Sequence, residues 1–473
     1  MEQKQRNRIL LILFLGVLMG ALDIAIVGPA LPSIRASFGI DERAASWIFT
    51  TYVLFNLIGV PLMAKLSDVF GRRTIYVLDV SLFACGSIIV ALSQGLPVML
   101  LGRAVQGLGA GGVFPVASAV IGDTFPPEKR GGALGMIGAV FGLAFLVGPL
   151  LAGVILSFTS WHWLFSLNVP IAAVVILSAM RVLPATRPAQ QKTFDWQGMI
   201  VLALLLAGLV VGINRLDTKN IAGSFLAFDT LPFFVATFAL VPLFIWLEQR
   251  AANPVVHLEL FHSRQVVVAG ALAAGAGLSE ATIVFVPQFV VFAFGVTGSV
   301  ASFMLLPAVL AMAGGAPLAG RLLDRYGSRV VVLLGASLST VGLFIVALFG
   351  TNVVFFYVSA LFAGTGLGVL LGAPLRYIML NEAPAAERAA AQGILTLHSS
   401  IGQLVGGALV GAIAASTGSG AVGLTSAFLV VGAIMLVLTA LTILLKSRHA
   451  ELDTARRNQP ARAGDKWQVM GEK

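Results

Sequence analysis

Ala64-Lys65-Leu66-Ser67-Asp68-Val69-Phe70-Gly71-Arg72-Arg73 lies between two apolar runs too long for a soluble core. The stretch has an echo. Gly320-Arg321-Leu322-Leu323-Asp324-Arg325-Tyr326-Gly327-Ser328-Arg329 repeats its order: small, basic, Leu, x, Asp, x, aromatic, Gly, x, Arg. Asp68 and Asp324 are 256 residues apart. Pro126, Arg130 and Gly135 recur 258 residues on as Pro384, Arg388 and Gly393, and the acidic residues Asp23 and Glu280, each inside an apolar run, are separated by 257. Offsets that agree this closely indicate a duplicated chain whose halves run in the same direction.

The composition says where such a chain resides. It is 58% hydrophobic and 11% charged, with mean hydropathy +0.96. Soluble domains carry about 25% charged residues, so a soluble enzyme is excluded and a polytopic membrane protein expected. The lone cysteine, Cys85, gives neither a disulfide framework nor a Cys-based metal site. A net charge of +9 in a soluble protein would suggest nucleic acid; here basic loops at a membrane account for it, and no nucleic-acid partner is expected. No G-x-x-x-x-G-K-[ST] is present, which argues against ATP-driven transport. The five histidines are scattered, and no metal site is expected.

Apolar runs predict helices near 9–31, 45–64, 74–94, 97–118, 131–156 and 164–183, a middle pair at 196–215 and 229–247, and six more near 266–292, 299–318, 330–350, 353–375, 393–416 and 422–445. The first is longer than the 7–15-residue core of a signal peptide, so it reads as an uncleaved span. Of the 30 Lys and Arg, only Arg35, Arg43, Arg215 and Lys219 fall on the far side and Arg103 falls within a span. The rest collect on one side, which places both termini in the cytoplasm. This asymmetry excludes thirteen spans but not twelve. The middle pair has no counterpart under the 256-residue shift and looks inserted. The expected organisation is a six-helix half (1–186), a linker with two extra helices (187–264), a second six-helix half (265–445) and a disordered cytoplasmic tail (446–473).

The opening stretch resembles the loop between helices 2 and 3 of the major facilitator superfamily, a family of two six-helix halves in which the loop recurs. The resemblance covers residues 9–445 and implies an all-α polytopic membrane protein with the major facilitator fold. It also implies that the loops act as a latch between the halves, through Asp68, Gly71, Arg72 and Arg73 and again Asp324, Gly327 and Arg329. A plain topogenic loop is the alternative. Gly71 and Gly327 suit a tight turn. The first copy departs from the family at Ala64, where glycine is usual.

Five further stretches sharpen the reading. Arg103, in Leu101-Gly102-Arg103-Ala104-Val105-Gln106-Gly107, demands a partner or a wet cavity, because a cation within the bilayer costs several kcal/mol. Asp23 is the candidate. It lies about 12 Å from the expected outer end of helix 1 at Leu31, and Arg103 about 9 Å from the outer start of helix 4 at Pro97. The arginine favours the charged carboxylate and desolvation the neutral one, an opposition that would let Asp23 gate on a proton. The alternative is a static ion pair. The family's helix-4 arginine is implicated in proton coupling. Asp23 also lies in Leu22-Asp23-Ile24-Ala25-Ile26-Val27-Gly28-Pro29, similar to the helix-1 motif of the fourteen-helix drug:proton antiporters, with Gly28 where Asn is usual and Pro29 expected to bend the helix. Gly138, Gly142, Gly148-Pro149 and Gly153 resemble the helix-5 motif of proton-exchanging exporters; generic small-residue packing is the alternative. Trp161-His162-Trp163 and Asp195-Trp196-Gln197-Gly198 also resemble the fourteen-helix subgroup and favour fourteen spans over twelve.

Glu280 stands near the midplane of helix 9, where a proton or a cationic substrate would explain it; a neutral Glu bonded to a neighbouring helix is the alternative. His398 is either its partner or a packed histidine. Asn56, Gln106, Gln288 and Gln403 are candidate cavity amides, though amides also hold helices together. The expected function is proton-coupled antiport of hydrophobic or cationic drugs by alternating access, resembling multidrug exporters of bacterial inner membranes. The partners would be a small-molecule substrate, protons and the lipid bilayer. The energy source would be the proton gradient, with no cofactor, and a monomer is expected. The rivals are an exporter of one endogenous metabolite and a non-transporting sensor or scaffold.

Overall fold

The computed structural model describes residues 3–457 except 126, 186–194, 218, 253, 257, 384–387 and 419. In hydrocarbon every backbone group must be satisfied internally, which favours helices, and no strand occurs among the described residues. The first half comprises α1 (Gln3–Phe38), α2 (Glu42–Phe70), α3 (Arg72–Ala91), α4 (Leu96–Thr124), α5 (Pro127–Phe158) and α6 (Asn168–Val182). Next come α7 (Trp196–Arg215) and α8 (Leu231–Arg250). The second half comprises α9 (Arg264–Phe294), α10 (Leu306–Tyr326), α11 (Ser328–Phe349), α12 (Val353–Leu371), α13 (Arg388–Thr417) and α14 (Ala421–Leu441), and α15 (Arg448–Arg457) follows. Among the described residues, 13 helices are long and apolar enough to cross a membrane, and α5 adds a shorter apolar stretch, Leu143–Phe158. Exposed apolar side chains such as Leu204, Phe238 and Val437 suit a lipid-facing surface.

The duplicated loops share one turn. Gly71 has φ 95° and its N–H donates to the Ser67 carbonyl; Gly327 has φ 80° and donates to that of Leu323. A side chain at either position would strain the backbone. Elsewhere proline marks the breaks. Gly298–Met304 gives way to α10 just before Pro307, and α12 to Ala373–Glu382 just before Pro374. Helix 1 differs from expectation. It continues through Pro29 and Pro32 to Phe38 instead of ending near Leu31. Each proline forfeits one backbone bond, which packing against neighbouring helices tolerates.

The start of the tail also differs from expectation. α15 is helical and docked: Glu451 accepts from the backbone N–H (3.2 Å) and the hydroxyl of Ser328, beside the second loop glycine. Arg448 donates to the Arg325 carbonyl at 2.7 Å. The acid supplies an acceptor for a free N–H at the start of α11, which is why this polar segment is held. The remainder, 458–473, lies outside the described residues.

The halves meet on the face opposite Gln3. Arg35 pairs with buried Glu42 at 2.8 Å and sits 4.8 Å from the Phe292 ring centre. Ser299 donates to the Gly153 carbonyl at 2.6 Å, and a Cβ on Gly298 would lie 3.1 Å from Ser33 Oγ. The middle pair is unequal. α7 packs on α8, α13 and α2, where Asn214 accepts from Trp47 and donates to Ser46, both at 2.9 Å. α8 packs chiefly on α7 and leaves most of its surface to lipid.

Candidate functional site

Asp23 and Arg103 are both 0% exposed, and Arg103 Nη1 donates to Asp23 Oδ2 at 2.6 Å. The fork also donates from Nη1 to Gln106 Oε1 (2.7 Å) and from Nε to the Ile48 carbonyl (3.0 Å). Its remaining nitrogen has no hydrogen-bond partner, but the guanidinium carbon lies 4.1 Å from the Tyr52 ring centre, where the π face attracts a cation. Asp23 Oδ1 accepts from Gln106 Nε2 (2.7 Å) and Asn168 Nδ2 (3.2 Å), and Gln106 also donates to Ser87 (2.8 Å). The cluster thus ties α1, α2, α3, α4 and α6 together, α3 through the amides of Gln106 and Asn168 on Ser87. Glycines bring these helices within reach: a Cβ on Gly107 would clash with the Tyr52 carbonyl, and one on Gly102 would lie 2.8 Å from Val90 N.

A narrow cleft opens between the halves. α1 lines it with Ile24, Ala25, Gly28 and Pro29, immediately after Asp23. Across from them stand Glu280, Ile283 and Gln403; Gln403 Nε2 donates to Glu280 Oε2 at 2.7 Å. Glu280 is the one ionisable side chain among the lining residues, Gln403 the one amide, and the rest are apolar or glycine. A carboxylate in such a setting can hold a proton or face a cation, with few other polar contacts to a guest.

The other expected residues divide. Gln106 belongs to the Asp23 cluster, not to the cavity, and Asn56 is half-buried away from the lining. Gln288 is buried with neither amide atom hydrogen-bonded. His398 is not the partner of Glu280. Its Nδ1 lies 2.8 Å from the Ile394 carbonyl of its own helix, and its ring packs on Phe261. Pro149 lines the cavity. A Cβ on Gly148 would press on Ala25 of α1 at 2.5 Å, and one on Gly153 on the Phe303 ring of the second half at 2.7 Å. The surroundings of Gly138 and Gly142 lie outside the described residues, as do the side chains of Asp68 and Asp324. Around the first loop, Arg72 bonds Asp123 (3.2 Å) and Ser67 (2.6 Å), and Arg73 reaches the Met180 carbonyl (3.4 Å). Arg329 is half-buried in the second loop.

Two parts of the cluster, Ser87 and Asn168, escape a reading of the sequence because small polar residues are common in membrane helices. Asp79, a third carboxylate within an apolar helix, carries a visible signal: an acid in the run Tyr76-Val77-Leu78-Asp79-Val80.

The family model of the Major Facilitator Superfamily matches residues 13–279 and 267–470. The chain belongs to this superfamily. It is a multi-pass membrane transporter and not an enzyme. It is 34% identical over 409 residues to an uncharacterised MFS-type transporter, YfiU, of Bacillus subtilis, covering 85% of this chain and 78% of that one. It is 32% identical over 353 residues to Multidrug resistance protein 3 of the same organism, covering 73% and 67%. Its fold matches the solved structure of a bacterial homologue of the lysosomal transporter Spinster, with TM-score 0.67 and 16% identity over 98% of this chain and 100% of that one.

Proposed function

We propose that this transporter is a proton-coupled antiporter with fourteen spans and both termini in the cytoplasm of a bacterial cell, exporting hydrophobic or cationic compounds across the inner membrane as a monomer. The observation that carries this reading is the cavity between the halves, which is apolar except for Glu280 and its partner Gln403. A metabolite exporter would need several fixed polar contacts; this lining suits greasy guests with a positive charge. The similarity to Multidrug resistance protein 3 of Bacillus subtilis agrees with it.

On this reading Glu280 is protonated while the cavity faces outward and gives its proton to the cytoplasm as a cation enters from within. Uptake of the next proton then favours release of the cation outside. The Asp23–Arg103 pair responds from behind the lining. Protonation of Asp23 would weaken its hold on α4 and let the segment from Ile24 to Pro29 shift. Rocking of the halves about the central cavity, with the contacts opposite Gln3 parting and re-forming, would expose it alternately, with the Asp68 and Asp324 loops regulating it.

The test is transport in proteoliposomes holding an internal pH dye, given ethidium or tetraphenylphosphonium. Proton movement triggered by cation in the wild type, lost in Glu280→Gln, is the expected result. No proton movement with any cation across the panel would remove the antiport reading.

A further inference from the structure

Asp79 takes no part in the mechanism proposed. Asp79 on α3 is 0% exposed, and neither of its oxygens has a hydrogen-bond partner. It lies seven residues into α3, about 10 Å from the Arg72 end at 1.5 Å per residue. The carboxylate occupies the seam between α3 and α4. Gly112 makes the room: a Cβ there would run into both carboxylate oxygens. Gly109 brings the α4 backbone against the same turn of α3, a Cβ on it falling 2.5 Å from the Asp79 carbonyl.

The groups facing this acid give it no counter-charge. α4 presents glycines. Tyr76, three residues back on the same helix, gives its hydroxyl to the Ile12 carbonyl instead. Arg72 and Arg73, at the end of α3, are engaged with Asp123, Ser67 and Met180. An unpartnered carboxylate in hydrocarbon costs stability, and an amide or leucine of like size would fill the seam without that charge. What an acid offers here and neither substitute does is a proton site. Asp79, Phe83 and Ser87 recur every four residues along one face of α3, and Ser87 is bonded to Gln106 of the Asp23 cluster. Asp79 therefore stands about 12 Å from that cluster, toward the Arg72 end.

We infer that Asp79 is a second proton-binding carboxylate of the first half, standing between the Asp23 cluster and the Arg72 face and loaded when α3 and α4 part along their glycine seam. The proton leaves water at that face to form an O–H bond on Asp79, and returns to water when the bond breaks. As a step in transport this rests on the proton-coupled reading, but its test does not require substrate.

The experiment is infrared difference spectroscopy of the reconstituted transporter titrated with pH, following the carboxylic-acid C=O stretch. The wild type should show a component that disappears on alkalinisation and is absent from Asp79→Asn. The pH of half-maximal transport should shift in the same variant. Asp79→Glu keeps the acid and should move the band without removing it, which decides the matter should the asparagine variant not accumulate. Identical titrating bands in wild type and Asp79→Asn, or a wild-type Asp79 band that never titrates, would overturn the inference. Absence of cation-triggered proton movement in the wild type would instead strike the antiport reading, so the two failures are distinguishable.

Discussion

Arg103 shows how much one buried cation demands. Its guanidinium is met by Asp23, Gln106, the Ile48 carbonyl and the Tyr52 ring. Removing one partner of such a pair leaves the other charge uncompensated, at a cost of about 3–5 kcal/mol. Arg103→Ala is therefore expected to lower the thermal midpoint sharply, and combining it with Asp23→Asn to recover much of the loss, since contacting sites are not additive. A double variant no more stable than the single one would contradict the pairing. This contact was legible in the sequence because a charge in an apolar run requires a partner, although the depth expected for Asp23 rested on helix 1 ending near Leu31, and the helix runs on to Phe38. The partner of Glu280 was not. His398 and Gln403 are five residues apart on α13, about 140° around the helix, so only one can face the cavity. No alternation of polar and apolar residues along so apolar a helix says which. Asp79 lies close enough to Arg72 and Arg73 to pass for a helix-end charge, and only the packed seam shows it without a partner.

Among the elements, α5 has the clearest duty. Gly148 touches α1 at Ala25 and Gly153 touches the second half at Phe303, so the Gly153 end of the motif lies between the halves. Gly153→Leu is expected to leave a folded, monodisperse protein whose cation transport is lost, because the side chain would wedge against the Phe303 ring. Full transport in that variant would show the close approach to be dispensable. α15 makes a different prediction. Glu451→Ala removes the acceptor for the Ser328 N–H, and loss of a helix cap costs about 0.5–2 kcal/mol. Hydrogen exchange should quicken at the start of α11 and across α15, and unchanged exchange would count against the docking. The tail's charged, aperiodic sequence conceals this segment, because its order comes from a long-range contact and not from an apolar face. The site of α7 against α2 and α13 was equally hidden, since the middle pair has no counterpart in the duplication.

At the scale of the whole molecule, the duplication and the apolar runs make the architecture legible in the sequence. What they left open was which face the halves close. The contacts of Arg35 with Phe292, and of Ser299 with Gly153, join them opposite Gln3. Cysteines at Ser33 and Gly298, in a Cys85→Ser background, should cross-link on oxidation, arrest transport and release it on reduction. Undiminished transport in fully cross-linked protein would mean that this face does not open. The central claim is that a cation entering the cavity displaces a proton from Glu280. It is tested most directly by adding tetraphenylphosphonium to the purified transporter in weakly buffered detergent with a pH indicator. The account predicts acidification that saturates with the cation in the wild type and vanishes in Glu280→Gln. Equal proton release from both proteins would contradict it.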